Sequence, residues 1–482
     1  MRAKRAIVLS LVALFVAVNL FAQSISASIL ETTITNILET SGTTIIPGGS
    51  QGAPPSAGDW VFDAPLTEDV TDDYSGVAGT VVWGGNGTYV DASTGWINNA
   101  SVDEARFEEW GLLREGGRTN EVEFSCQYER WTKIEILFDD SNSTSPDNGN
   151  YGRGIIATDD YDFHRMYKFV EGQFCGNATT FSFYAKNGTW SWIRARLLAY
   201  NGTSYVGSKF AYFDVENGTI GSTSIDETLG DSYKITEMND GWRRYEITYG
   251  NPPEATVKVL PDILVTHSDD IDKTTGDNNT VAVYLYGAQV EIGPYASSFI
   301  YVDSWGDVSR ATEAGLAVDD NGLSWTFADL DSDVSDALSA GGEGTLLLDF
   351  HPISCFDCVD NGTAYNLVSV NDSVNSTLYL WKNYSGADCK VASFDGTNVA
   401  NVDCSWYADA NYTMAVRWGD GTFQVGVKNA TAWAWGTEKA YDGSFDIGTK
   451  LRLSYENEDV HWHAKNFKIR NEKLSTAEIE AL

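Results

Sequence analysis

Six tryptophans stand where they could meet a sugar. Trp190 and Trp192 alternate, as do Trp433 and Trp435 within Thr431-Ala-Trp-Ala-Trp435, while Trp381 and Trp406 lie in the same half as the second pair. A flat indole covers the C–H face of a pyranose, and planar polar groups nearby take its hydroxyls. Each ring could equally fill a core; Trp433 and Trp435, spaced by alanine and close to a turn, fit the sugar role best. Carboxylate pairs could instead act as acid and base on a glycosidic bond. The clusters are Asp103-Glu104 with Glu108-Glu109, and Glu456, Glu458 and Asp459. The Glu-x-Asp-x-x-Glu spacing of sandwich glucanases is absent, and no nucleophile elbow surrounds a serine. The five histidines, His164, His267, His351, His461 and His463, offer one alternating pair that could bind metal, His461 with His463. No reactive constellation emerges, so the expectation is a binding protein and not an enzyme.

Calcium is the cofactor that the acidic loops suggest. Asp319, Asp320 and Asn321 form one oxygen-rich loop cluster; Asp269, Asp270, Asp272 and Asp277 form another, and Asp139, Asp140 and Asp147 a third. None has EF-hand spacing, and acidic loops are expected on a chain of net charge −36. That charge also excludes nucleic acid, whose phosphates repel carboxylates.

Several features place the chain outside the cytosol. Arg2, Lys4 and Arg5 precede the apolar run Ala6–Ala22, with small Ser24, Ser26 and Ala27 after it. Residues 1–28 therefore read as a cleaved signal peptide or a retained membrane anchor. The six cysteines divide evenly: Cys126 and Cys175, then Cys355, Cys358, Cys389 and Cys404. Disulfides within each half are expected, with a four-thiolate zinc site as the alternative for the second set. Glycosylation triplets begin at Asn86, Asn99, Asn142, Asn177, Asn187, Asn201, Asn217, Asn278, Asn361, Asn371, Asn375, Asn383, Asn411 and Asn429.

The elements that would carry these residues are strands. With 482 residues, 43% hydrophobic and 13% aromatic, the chain can bury two cores. Residues 29–58 read as a short amphipathic helix and a Gly/Pro linker. Alternation in Phe181–Ala185, Trp192–Leu197, Phe210–Val215, Trp242–Tyr249 and Val281–Ile292 predicts one sandwich over 59–310. Thr345–Phe350, Leu367–Val370, Leu378–Trp381, Met414–Trp418, Phe423–Val427, Leu451–Tyr455 and His461–Ile469 predict a second over 311–482. Ser475-Thr-Ala-Glu478 has capping-box spacing and starts a closing helix. The expected class is all-β, two tandem jelly-roll sandwiches.

An ordered set of segments resembles phage-type tail-fibre and head-spike proteins, which join a carbohydrate-binding jelly roll to a concanavalin A-like/laminin-G-like sandwich. The segments are Gly87–Ala92, Asn99–Phe107, Gly111–Asn120, Trp131–Lys133, Phe213–Gly218, Asp240–Tyr245, Val283–Gly293, Tyr295–Ile300 and Val308–Ala311. Asn466–Leu482, ending KLSTAEIEAL, is similar to the last strand and helix of laminin-G-like domains. The resemblance implies glycan adhesion or a fibre role, without catalytic machinery. The leader, the glycosylation triplets and the cysteines depart from it. They favour an exported, lectin-like surface adhesin, with a glycosylated fibre or spike on a virion surface as the alternative, and a polysaccharide-acting glycosidase behind both. The implied partners are a cell-surface or extracellular glycan and, for a fibre, further copies in a homotrimer or filament.

Overall fold

A computed structural model describes residues 60–482 apart from 83–86, 102–103, 116, 140–142, 303–307, 311–321, 354–363, 371–377, 383–388, 408, 446 and 454–461. The expected leader, amphipathic helix and linker all lie outside the described residues. The rest is all-β, and every strand pairing in its four large sheets is antiparallel.

Two sandwiches form because the strands carry one apolar face each. In Trp192–Asn201, Ile193, Ala195, Leu197 and Ala199 join a core with Phe181, Phe183, Ile247, Ile263 and Val290 from neighbouring strands. One sheet of this sandwich runs, in order, Thr219–Thr223, Ser204–Asp214, Trp192–Asn201, Lys258–Thr266, His164–Tyr167 and Thr132–Ile134. The facing sheet runs Ser232–Glu237, Arg243–Tyr249, Thr179–Asn187, Val281–Ile292, Arg153–Ala157 and Ile136–Phe138. The second core gathers Leu346, Leu348, Trp406, Met414, Trp418, Phe423, Leu451, Leu453 and Phe467. The closing helix Thr476–Glu480 carries the full capping box: Ser475 and Glu478 each bind the other's backbone N–H.

The expected division at residue 310 needs correction. Strand Trp462–Arg470, near the C-terminus, pairs along one edge with Gly344–Pro352. Its other edge is divided between Trp60–Ala64, opposite Phe467–Arg470, and Gly111–Arg114, opposite Trp462–Ala464. Thr80–Val82 likewise joins the second sheet of that sandwich through Gly322–Thr326. Val61, Phe62, Ala64, Leu66 and Leu112 all enter the second core. The second sandwich is thus built from both ends of the described chain, and the first is inserted into it. Where the insert begins and ends, Arg118–Asn120 pairs with Val308–Arg310, as an insertion with adjacent ends requires.

One buried ion pair secures the junction. Arg106 Nη1 lies 2.7 Å from Glu115 Oε2, with both side chains almost wholly excluded from solvent. The same nitrogen donates to Thr88 O at 2.7 Å and Ser298 Oγ at 3.1 Å, while Glu115 Oε1 accepts from Ser298 N at 2.7 Å. A Cβ on Gly87 would fall 2.9 Å from Arg106 Nη1, so glycine is needed for the backbone to approach this close.

This arrangement predicts how fragments behave. Residues 311–482 alone leave Trp462–Arg470 with one bare edge and remove five core side chains. They are expected to be insoluble, whereas residues 56–482 give soluble protein with a cooperative thermal transition; soluble yield and circular dichroism on heating check this.

Candidate functional site: an aromatic and arginine face

The outer face of the sheet carrying Trp192–Asn201 is built by alternation. Since Ile193, Ala195, Leu197 and Ala199 point to the core, Trp192, Arg194, Arg196 and Tyr200 point away. Pairing sets Arg194 beside Tyr212 and Leu264, and Arg196 beside Phe210 and Asp262. It then sets Arg165 beside Leu264 and Tyr167 beside Asp262. A further aromatic, Phe169, follows the strand His164–Tyr167.

These rings form an unbroken strip. Centroid separations are 6.2 Å for Tyr167–Phe169, 5.5 Å for Phe169–Tyr200 and 6.0 Å for Tyr200–Tyr205, each pair edge to face. Phe169 and Tyr205 are 49% and 56% exposed, high values for large rings. Arg165 extends the strip, with its guanidinium 5.3 Å from the Tyr167 ring centre and 5.5 Å from that of Phe163. Lys258 sits 5.2 Å over Phe169.

Beneath the strip lies a fully buried carboxylate. Asp262 Oδ2 is reached by Arg196 Nη2 at 2.5 Å, Arg194 Nη2 at 3.4 Å and Arg165 Nη1 at 3.5 Å. Asp272, from the loop after the strand Lys258–Thr266, pairs with Arg194 and accepts from Tyr212 Oη at 2.5 Å. Burial first, and the Asp272 bond second, push the Tyr212 phenol well above its ordinary range, so it remains a donor.

The tryptophans expected from sequence separate into different roles. Trp190 precedes the strand, so alternation does not extend to it; it is buried in the core, its ring 3.9 Å from that of His267. Trp406 is also core, edge to face with Phe350 and Tyr412. Neither can offer a ring face to a sugar, which corrects both assignments. Trp192 lies on the outer face described above, half-buried. Trp433 and Trp435 share one face of the edge strand Trp433–Trp435 and stack on each other at 5.2 Å. Both are half-buried against Leu347, Leu474 and Ile479, and Trp435 Nε1 donates to Glu480 at 2.8 Å. The Trp381 side chain lies outside the described residues.

The acidic loops and cysteines also resolve in part. Asp319, Asp320 and Asn321 lie outside the described residues, as do Glu456, Glu458, Asp459 and His461. Asp269 binds Ser222, and Asp277 caps the turn at Asn279 and Thr280. Among the described residues, no group of three or more His, Cys, Asp or Glu side chains could hold a metal ion. Cys126 and Cys175 are not joined, correcting the expected disulfide. Cys126 is packed with Ile97, Tyr184 and Trp242 under the hairpin Thr88–Asn99, while Cys175 lies exposed in the turn before Thr179–Asn187. Cys355 and Cys358 lie outside the described residues. Of the glycosylation triplets, Asn99, Asn177, Asn201, Asn217, Asn278, Asn411 and Asn429 are exposed and Asn187 is half-buried; the other six lie outside the described residues.

A concavity lies between the sandwiches, lined in part by Glu108, Trp110, His351 and His463. Trp110, 40% exposed, stacks on His351 at 4.5 Å with the rings 8° from parallel. His351 Nδ1 donates to Asn411 Oδ1 at 2.9 Å, and His463 Nε2 meets Glu108 Oε2 at 3.0 Å. Glu108 and His463 were both singled out in the sequence, in separate clusters, and only the fold unites them. Burial lowers the His351 pKa to about 4, so the ring is neutral near pH 7.

No family model and no curated protein matches this sequence. Among solved structures, the chain is similar to the full extracellular region of zebrafish Gpr126/Adgrg6, at 10% identity, 67% coverage of this chain, 36% of that one and a TM-score of 0.20. It is also similar to mouse laminin α1 domains LG4–5, at 8% identity, 70% and 91% coverage and a TM-score of 0.17. A third is the GH43 protein BlXynB of Bacillus licheniformis, at 9% identity, 86% and 98% coverage and a TM-score of 0.20. The chain spans about a third of the length of the zebrafish receptor region. A laminin G-like structure is thus among these matches, and none of the three is a tail fibre. The presence of GH43 glycoside hydrolases overturns the expectation that the chain is not an enzyme. Likeness this slight assigns neither activity nor substrate.

Burial pushes the Cys126 thiol up to about 12, so at pH 8 only Cys175 of this pair should be alkylated by iodoacetamide, and no Cys126–Cys175 crosslinked peptide should appear in non-reducing mass spectrometry. The unfolded chain protonates His351 near 6.5, while the folded one resists until about 4. The stability owed to neutral His351 is therefore complete above pH 6.5 and is lost as pH falls toward 4. Thermal melts across that window should fall more steeply for the wild type than for His351→Gln.

Proposed function

We propose that this chain is an extracellular glycan-binding protein and that its sugar lies on the outer face of the sheet containing Trp192–Asn201. The observation that carries the reading is the ring strip Tyr167, Phe169, Tyr200 and Tyr205, bordered by Arg165 and Arg196. Sugar binding needs two things together: apolar flats for pyranose C–H groups and planar donors for hydroxyls. Both occur here on a sheet, which holds them with little conformational freedom to lose. The extracellular setting is supported by the basic and apolar leader and by glycosylation triplets that reach the surface wherever their side chains are described.

Trp433 and Trp435 fit the role less well, since their rings are half-buried against the closing helix and each other. A glycan array of wild type and Phe169→Ala/Tyr205→Ala tests the assignment. Two exposed rings at about 1 kcal/mol each correspond to roughly a thirtyfold loss of affinity, with the melting temperature little changed. Trp433→Ala/Trp435→Ala should keep the sugar signal and lower the melting temperature. A silent array, or binding lost only with the tryptophan pair, overturns the assignment.

A further inference from the structure

We infer that the sugar taken by this face is anionic, carrying a carboxylate or sulfate that Arg165 and Arg196 hold; this rests on the glycan reading above. The charge count on the face supports it. Three guanidinium groups, Arg165, Arg194 and Arg196, surround two carboxylates, Asp262 and Asp272, leaving one positive charge over. The neighbouring cations are already matched: Lys258 with Glu171 at 3.0 Å and Lys273 with Asp162 at 2.8 Å. One arginine suffices to neutralise Asp262 and Arg194 also meets Asp272, so one guanidinium needs a further reason, especially in a chain of net charge −36.

Geometry supplies the reason. Asp262 is completely buried and Arg194 nearly so, and they form the floor. The Nε atoms of Arg194 and Arg165 are buried without a hydrogen-bond partner, and an unmet donor is costly in a way that an approaching anion can relieve. Arg165 and Arg196 stay about a quarter and a fifth exposed, facing the strip. Arg165 holds Asp262 only at 3.5 Å and is steadied by the Tyr167 and Phe163 rings, so its fork is positioned before a ligand arrives. An anionic sugar could lay its ring on Tyr167 and Phe169 and its charge between the two guanidiniums.

Polygalacturonate and its fully methyl-esterified form share a backbone and differ in charge, and dextran sulfate and dextran do the same for sulfate. Biolayer interferometry of the full chain should show at least tenfold tighter binding to one charged polymer than to its neutral partner, and which pair responds names the anion. Arg165→Gln should abolish that difference, with Arg165→Lys restoring part of it; thermal melts check that both variants fold. Equal affinity for charged and neutral partners, or an unaltered preference in Arg165→Gln, overturns the anionic assignment and leaves the glycan reading standing. Binding to no polymer and no arrayed glycan overturns both.

Discussion

The two edges of the strand Trp462–Arg470 constrain everything else. Backbone N–H and C=O groups inside a sandwich must be paired, and a central strand has two rows of them. One row goes to Gly344–Pro352. The other is too long for either short N-terminal strand and is divided between two. The division falls at Asn466, in the left-handed region at φ 49°, where the ladder shifts register. Asn466 N donates to Pro65 O at 3.0 Å and its amide to Asp349 at 2.6 Å, so the kink is itself satisfied. Because residues 60–64 and 111–114 are both claimed by the last strand, the chain must leave near Arg118 and return near Arg310. The first sandwich is an insert for that reason.

Insertion brings a polar problem, since the segments that connect two cores are themselves buried. Arg106 and Glu115 answer it by bonding backbone from Thr88 and Ser298 as well as each other. Isolated, either charge would cost several kcal/mol to bury; together, and bonded to the Thr88 and Ser298 backbone, they become a specific clamp. Asp262 repeats the motif on the outer face of the insert, with a difference. There the cations outnumber the carboxylates and two of them reach solvent. The first cluster serves the fold, and the second has capacity beyond it.

Aromatic residues divide along the same line. Trp406, Trp418 and Trp325 are wholly buried, because a large apolar surface contributes most when removed from water entirely. The exposed rings are mainly tyrosine and phenylalanine: Tyr161, Tyr205, Phe169 and Tyr151. Reading tryptophan as the sugar-facing residue therefore favoured the ring type that this fold puts mostly in its cores.

Period-two alternation made the strands legible, and with them the all-β class, because it is a local consequence of the pleat. The capping box at Ser475 was legible for the same reason: its atoms are three residues apart. Alternation in Trp192-Ile-Arg-Ala-Arg196 even indicated that Arg194 and Arg196 share a face. It could not indicate which strands lie beside them, because register and strand order depend on contacts far apart in the chain. Asp262 is 66 residues from Arg196 and Glu108 is 355 from His463, and no local pattern links them. The insertion, the burial of Trp190 and Trp406, the unpaired Cys126 and the aromatic strip were all decided at that level. Local sterics act within a few residues, whereas a shared core and a satisfied ladder are properties of the whole chain.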